Sequence, residues 1–391
     1  MLTQFTSRVL SAQSKRFPFI AVLMACALSG CAAPKAVTAP VFYPPQPNLP
    51  RMQFLMAINE STDVEEKKTT FALVMTGGGD GDRVKPIGKP YGVTTGRGKI
   101  YVADSGINTV EIIDLKNKTF EYLKGDKNIG KLRKPINLTL DTSGNLYVVD
   151  TARKEILMYD AEGNFVRTYG KELQMKPVDV AVDNDSIYAL DLTNNEIKVI
   201  NRKSGEMERS IGKGDLSIPT NMTIDSKGFL YVTNVGHGNV TKFDRDGNLL
   251  ATIGKLGNLF GEFARPRGVA VDSQGRMYVA DAQFYNVQVF NENGRLLMFF
   301  GDPGLTPGSM NLPADIATSK ENLDYFQQLA APGFMLEEII FVTNQYGDAK
   351  VAIYGLGEMK GGEKPAEGGG EGVKKPSEPA ESQKNISSER K

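Results

Sequence analysis

The sequence predicts an all-β chain folded as a six-bladed β-propeller, and three observations carry that prediction. Pro90, Pro135, Pro177, Pro219, Pro266 and Pro313 open six copies of one unit, spaced by 42 to 47 residues. Within each copy, short runs of β-branched and aromatic residues alternate with period two, as half-buried strands do and helices do not. Gly-bearing turns separate the runs, as at Ser143–Asn145, Glu162–Asn164, Asp246–Asn248 and Asn293–Gly294, and supply the positive φ of tight hairpins. Four antiparallel strands per unit make one twisted sheet, and six such sheets packed radially make the propeller.

Inside each unit the proline opens the first strand, which should line the central channel. The second strand carries Tyr101, Tyr147, Tyr188, Tyr231, Tyr278 and, in the sixth copy, Phe341; aromatics at repeat spacing predict packing between blades. That strand ends on Asp104, Asp150, Asp191, Asn234, Asp281 or Asn344. A polar residue present in every copy is expected to cap a turn rather than form a single site. Phe341 follows its proline by 28 residues, against 11 or 12 for the tyrosines. The extra stretch, 319–331, begins with Ser319 and has apolar positions at Leu323, Phe326, Leu329 and Ala330. It predicts a short amphipathic helix, either folded back on the propeller or acting as a lid. After Lys350–Tyr354 no fourth strand is legible, so Arg51–Ile58 is expected to supply it and close the ring. The propeller is thus predicted to span 51–356.

The flanks read differently. Arg8, Lys15 and Arg16 precede the apolar run Phe19–Leu28, which marks residues 1–30 as a signal peptide too short to span a bilayer. Leu28–Cys31 resembles a bacterial lipobox. That resemblance implies cleavage before Cys31, lipid attachment to it, and a membrane as partner. Ala32, in place of the aspartate of inner-membrane retention, points by the same resemblance to the outer membrane, on either side. Residues 31–50 are proline-rich and predict a tether. Residues 357–391 hold seven basic and seven acidic residues and few large apolar ones, so a disordered tail is expected.

Pro266–Asp281 with Asn286–Phe290 resembles the NHL family of six-bladed propellers, and the resemblance extends over about residues 85–355. The third, fourth and sixth copies depart from it most. It implies rigid faces that bind macromolecules. The Arg51–Leu55 segment and the helical insert also make the chain similar to bacterial lipoproteins encoded beside multihaem cytochromes. That similarity implies an accessory of extracellular electron transfer.

Chemistry is sparse. The chain has 46 basic and 46 acidic residues, so it lacks the positive field that nucleic-acid binding needs. One histidine and two cysteines exclude a multi-histidine metal site, a zinc ribbon and a disulfide framework. No Cys-x-x-Cys-His is present, so no cofactor or resident metal is expected. His237 lies in a Gly-flanked turn without a nucleophile constellation, and Gly77–Asp82 lacks the Lys-Ser/Thr of a phosphate loop. The residues two after each proline are Gly92, Asn137, Asp179, Asn221, Gly268 and Asp315. They should ring one mouth of the channel, making Asn137, Asp179, Asn221 and Asp315 the candidate ligand-binding residues. Two readings fit them: bonds to backbone where strands converge, or oxygen donors for a hard cation such as Ca²⁺, loosely similar to six-bladed lactonases. The sequence therefore favours a lipid-anchored binding and scaffolding module with a protein partner. The alternative is a Ca-dependent hydrolase or lactonase working at the channel mouth. An enzyme would hold a pocket and a general base of shifted pKa there.

Overall fold

The computed structural model describes residues 39–66 and 83–362. Six antiparallel sheets follow the six repeats. Their inner strands are Pro90–Gly96, Pro135–Leu140, Pro177–Val182, Pro219–Ile224, Pro266–Val271 and Pro313–Ser319. Blades 1 to 5 each run outward through four strands in chain order. Blade 6 combines both ends of the fold: Pro313–Ser319, Phe334–Asn344 and Val351–Met359 pair onward to Met52–Ile58. The pairing runs from Met52 opposite Leu356 to Ile58 opposite Val351, so the expected ring closure is present. Met52 and Ile58 are fully buried, and each side chain so placed contributes about 1.5–3 kcal/mol of apolar burial.

The core lies between blades. Tyr101 packs in one cluster with Val148 and Leu157 of blade 2, Tyr188 with Ile136 and Phe243 of its neighbours on either side, and Tyr278 with Ile340 and Tyr354 of blade 6. Phe341 joins Val102 and Ile113 of blade 1. The strand-ending acids act as expected. Asp150 accepts the backbone N–H groups of Arg133, Lys134, Ala152 and Arg153, and Asp281 those of Ala264, Arg265, Gln283 and Phe284. Each carboxylate thus satisfies four amides where one blade hands over to the next, which accounts for its recurrence.

Three sequence expectations change. The proline-rich segment is not tether as far as residue 50: Phe42–Tyr43 adds a fifth strand to blade 6. Tyr43 is buried, and its hydroxyl donates to the Gly308 carbonyl (2.9 Å), which also accepts from Tyr354 (3.0 Å). The third strand of blade 6 runs on to Met359 instead of ending at Tyr354. Gly355 and Gly357 read as a stop, but they allow a close crossing. A Cβ on Gly357 would lie 2.1 Å from the Met335 carbonyl oxygen, next to the bulge between Leu336 and Glu338. The insert forms only one short helix, Leu323–Gln327, preceded by Asn322 at φ 58°; Ser319 belongs to the inner strand. Phe326 is buried against Phe341 (centroids 5.9 Å apart), and the Asn322 amide donates to Gly98 of blade 1 (2.9 Å). The helix therefore covers the junction of blades 6 and 1. Among the described residues no helix is long and apolar enough to cross a membrane. The signal segment, Cys31, Gly77–Asp82 and residues 363–391 of the tail lie outside the described residues.

Candidate functional site

In all six inner strands the pairing register slips just after the proline. Proline offers no N–H to the ladder, and the bulge that follows re-aims the next side chains. This brings Asn137, Asp179, Asn221 and Asp315 together at the axis, all four buried. Convergence is tight. A Cβ on Gly92 would fall 2.2 Å from Asn137 Oδ1, and one on Gly268 would fall 2.5 Å from the Asp315 Cα. Glycine in two of the six copies is therefore a packing requirement.

The two acids bond mainly to amides of other blades. Met222 N–H of blade 4 donates to Asp179 Oδ2 (2.6 Å), and Val180 N–H to its Oδ1 (2.7 Å). Val93 N–H of blade 1 donates to Asp315 Oδ2 (3.0 Å). Asn221 Nδ2 reaches past blade 5 to Asp315 Oδ1 (3.0 Å). Thr233 and Thr343 tie Asn221 and Asp315 to the second strands of their own blades. The Thr343 hydroxyl also donates to the Tyr91 carbonyl of blade 1. Asn137 Oδ1 accepts only its own neighbour, Leu138 N–H (3.1 Å). Asn137 Nδ2 and Asn221 Oδ1 are buried without a partner.

Burial is the main cause of the electrostatic shifts here. It pushes the Asp179 carboxyl well above the usual range, and the negative charge of Asp315 adds to the effect. Burial also lifts Asp315 to about 7, against the amides of Val93 and Ile316 and the Asn221 side chain, which favour its anion. Both shifts disfavour two full charges on the pair.

Sequence reasoning missed two members of the mouth. Tyr91 and Arg267 occupy the position immediately after the proline, where other copies have Ile136, Val178, Thr220 and Ala314. The Arg267 guanidinium stacks 5.4 Å from the Tyr91 ring centroid, and its Nε and Nη1 are buried without a hydrogen-bond partner. Tyr91 is raised above its ordinary pKa by burial, and Arg267 opposes that shift. The available signal was the loss of repeat character at that single position.

All four carboxylate oxygens of Asp179 and Asp315 already accept hydrogen bonds. Among the described residues no three of His, Cys, Asp and Glu group as metal ligands. A Ca²⁺ ion asks for six to eight oxygens; the ring holds the two hydrogen-bonded carboxylates and the side-chain oxygens of Asn137 and Asn221, beside the Arg267 guanidinium. His237 is exposed in its turn, away from any such group.

A cavity lies away from these residues, on the outside of the molecule. A groove of about 950 Å³ runs between Phe42–Pro45 and the outer strand of blade 5, lined also by Leu49, Leu297 and Phe299. The sequence reading placed no site there.

Comparison with known proteins agrees with the architecture. Residues 263–290, the first three strands of blade 5, match the NHL repeat. Protein brain tumor of Drosophila melanogaster is 29% identical over 133 residues, which is 32% of this chain and 13% of that protein's length. A protein of unknown function from Bacteroides thetaiotaomicron superposes with a TM-score of 0.54 at 16% identity, over 70% of each chain. An auxiliary nutrient binding protein from the same bacterium gives 0.53 at 12% identity, again over 70% of each. A gluconolactonase of Xanthomonas campestris gives 0.51 at 16% identity, over 78% of this chain and 98% of that one. At these identities the structural likeness speaks for the fold alone. The protein is a six-bladed β-propeller that carries an NHL repeat in its fifth blade.

Proposed function

We propose that this propeller is a binding and scaffolding module of a cell-envelope assembly, held to the outer membrane by lipid on Cys31. The observation that carries the reading is the state of the channel mouth. Its acids are committed to holding inner strands together, and beside them Tyr91 is stacked with the Arg267 guanidinium. A rigid ring with a stapled axis suits presentation of surfaces more than turnover. NHL propellers generally mediate protein–protein interaction, and the matched repeat supports the same role here. The similarity of Arg51–Leu55 and the helical insert to lipoproteins encoded beside multihaem cytochromes supports a finer reading, an accessory of extracellular electron transfer.

The test is a crosslinked pull-down of the full chain from its own membranes, alongside a screen for lactone and ester hydrolysis with and without Ca²⁺. One stable protein partner and no turnover is the expected result. Ca²⁺-dependent turnover abolished by Asp179→Asn would replace the scaffold with the hydrolase.

A further inference from the structure

The outer strands of the blades differ in a way the repeat does not require. Blade 1 carries Glu121, blade 2 Arg167, and blade 3 Glu208 and Arg209 in their outer strands. Charges on an edge strand keep it from pairing with other chains. Blade 6 has its edge covered by Phe42–Tyr43. The outer strands of blades 4 and 5, Leu249–Ile253 and Leu296–Phe300, have no charge at all. Leu249, Leu250 and Leu297 are each about half exposed, and Phe299 is 39% exposed.

The apolar surface continues beyond these strands. Phe260, 76% exposed in the connection between blades 4 and 5, stacks on Phe299 with centroids 5.1 Å apart. Phe299 lines both the cavity that holds Phe260 and the large groove beside Leu49. Three cations near this flank are paired: Arg276 with Asp272 and Glu337, Arg51 with Glu337 and Glu358, and Lys255 with Glu262; Arg295, just before the outer strand of blade 5, is exposed, and Asp302 lines the groove. The apolar surface from Leu49 through Leu297 and Phe299 to Phe260 marks an interaction surface.

We infer that the flank formed by blades 4 and 5 and the segment around Leu49 is a membrane-contact surface, seated on the lipid bilayer through Leu49, Leu259, Phe260, Leu297 and Phe299. The length of chain upstream selects this occupant. Nine residues lie between Cys31 and Val41 in the groove wall, and the ten extended steps from one to the other reach about 35 Å. An anchor that short keeps the groove within roughly one domain diameter of the headgroups. Leucine and phenylalanine side chains suit the headgroup–acyl boundary, where such residues insert about 5–10 Å. Contact by insertion does not depend on salt, whereas attraction to anionic headgroups does. Blades 1 to 3, with their charged edges, are then turned away from the bilayer and toward a soluble partner. This inference rests on the lipid anchor proposed above.

The chain has no tryptophan, so single reporters can be placed without background. Phe260→Trp reports on the flank. Ile129→Trp, 74% exposed in the corresponding connection three blades round the ring, is the control. The full lipidated chain is reconstituted with vesicles of phosphatidylethanolamine and phosphatidylglycerol containing lipids brominated near the carbonyl end, and is also floated on a density gradient. The expected result is fluorescence quenching several-fold stronger at position 260 than at 129, unchanged at high salt. A chain that floats but shows equal or no quenching at 260 overturns the contact surface and leaves the anchor standing. So does capture of a second copy or another protein by a photocrosslinker at 260 without quenching. Quenching that vanishes in high salt also overturns it. Cys31→Ser separates the two readings: selective quenching without Cys31 supports the surface and removes the need for the anchor. A chain that neither floats nor is quenched overturns both.

Discussion

The inner and outer strands of this propeller solve opposite problems. At the axis six strands crowd together, and the sequence answers with glycine where a Cβ would collide and with side-chain acceptors for amides the bulged register leaves unpaired. At the rim the strands spread apart, packing constrains little, and composition varies freely from Glu-Arg in blade 3 to an uncharged Leu-Met-Phe run in blade 5. A repeat is thus most informative where it breaks. Breaks at the axis report closure of the ring. Breaks at the rim report what the ring faces.

The contrast is tested most severely at blade 6, where inner and outer strands come from opposite ends of the fold. Starting the chain at residue 65 removes Met52–Ile58 and bares the strand Val351–Met359. The loss of Met52 and Ile58 burial with seven residues of ladder should cost on the order of 5 kcal/mol or more. A thermal melt should show a large drop or loss of the cooperative transition. An unchanged Tm would mean that the ring does not depend on its closure.

The axis comes next. Asp315→Ala strands the Val93 N–H and the Asn221 amide, and should cost ~2–4 kcal/mol in a denaturant melt. Asp315→Asn keeps an acceptor for Val93, and its amide donor is matched once the Asn221 amide turns over to present its unpartnered Oδ1 in place of Nδ2, so it should cost less. The two also differ with pH. Asp315 in the fold sits near 7 against an ordinary 3.8. Its contribution to stability is therefore fully present below about pH 4 and is lost as pH rises through 7. Melts between pH 4 and 8 should show stability falling across that window in the natural chain and a flatter curve in the Asn variant. A natural chain that gains stability across the window would show that the acids are ionised and gaining from charge.

Much of this was legible beforehand because it recurs. The strand pattern, the aromatic between blades (tyrosine in five copies, Phe341 in the sixth) and the turn-capping Asp or Asn each appear six times over, so chance variation in one copy does not hide them. What was missed occurs once. Phe42–Tyr43 pairs as a strand inside a proline-rich stretch whose composition argues for a tether. Gly355 and Gly357 continue a strand because a crossing backbone needs the room, although glycine ordinarily signals an end. Tyr91 and Arg267 meet across the mouth only after the ring has closed, and no local pattern encodes a contact between blades 1 and 5.

Blade 1 offers a sharper comparison with blade 3. Glu111 and Lys198 occupy the same place in the third strand, opposite Val102 and Ala189. Lys198 donates to Glu196 (2.6 Å) and lies 3.6 Å from Asp191. Glu111 is buried beside Asp104 with no basic partner, and burial, aided by the charge of Asp104 and contact between the two carboxyl groups, holds its carboxyl well above the usual range. With the folded value raised above 4.5, Glu111 favours the fold at low pH and loses that contribution as pH rises through its folded value. Glu111→Gln should stabilise the protein by roughly 1 kcal/mol at pH 8 and leave it unchanged at pH 4. A destabilising effect at both pH values would mean that the carboxyl has a partner.

The smallest effect belongs to the rim. Leu297 lies in the bulge opposite Val289 and Phe290 and is half exposed, while Phe300, three residues on, is fully buried against Tyr354. Leu297→Ser should change stability by no more than about 0.5 kcal/mol, as surface substitutions do, so the Tm should move by only one or two degrees. The same variant removes apolar area from the groove and should weaken vesicle association of the full chain. A large fall in Tm would place Leu297 in the core of the blade and make its exposure a matter of packing. A small fall with weaker vesicle binding would mean that the rim composition is set by what the blade touches, since the fold itself does not need leucine there.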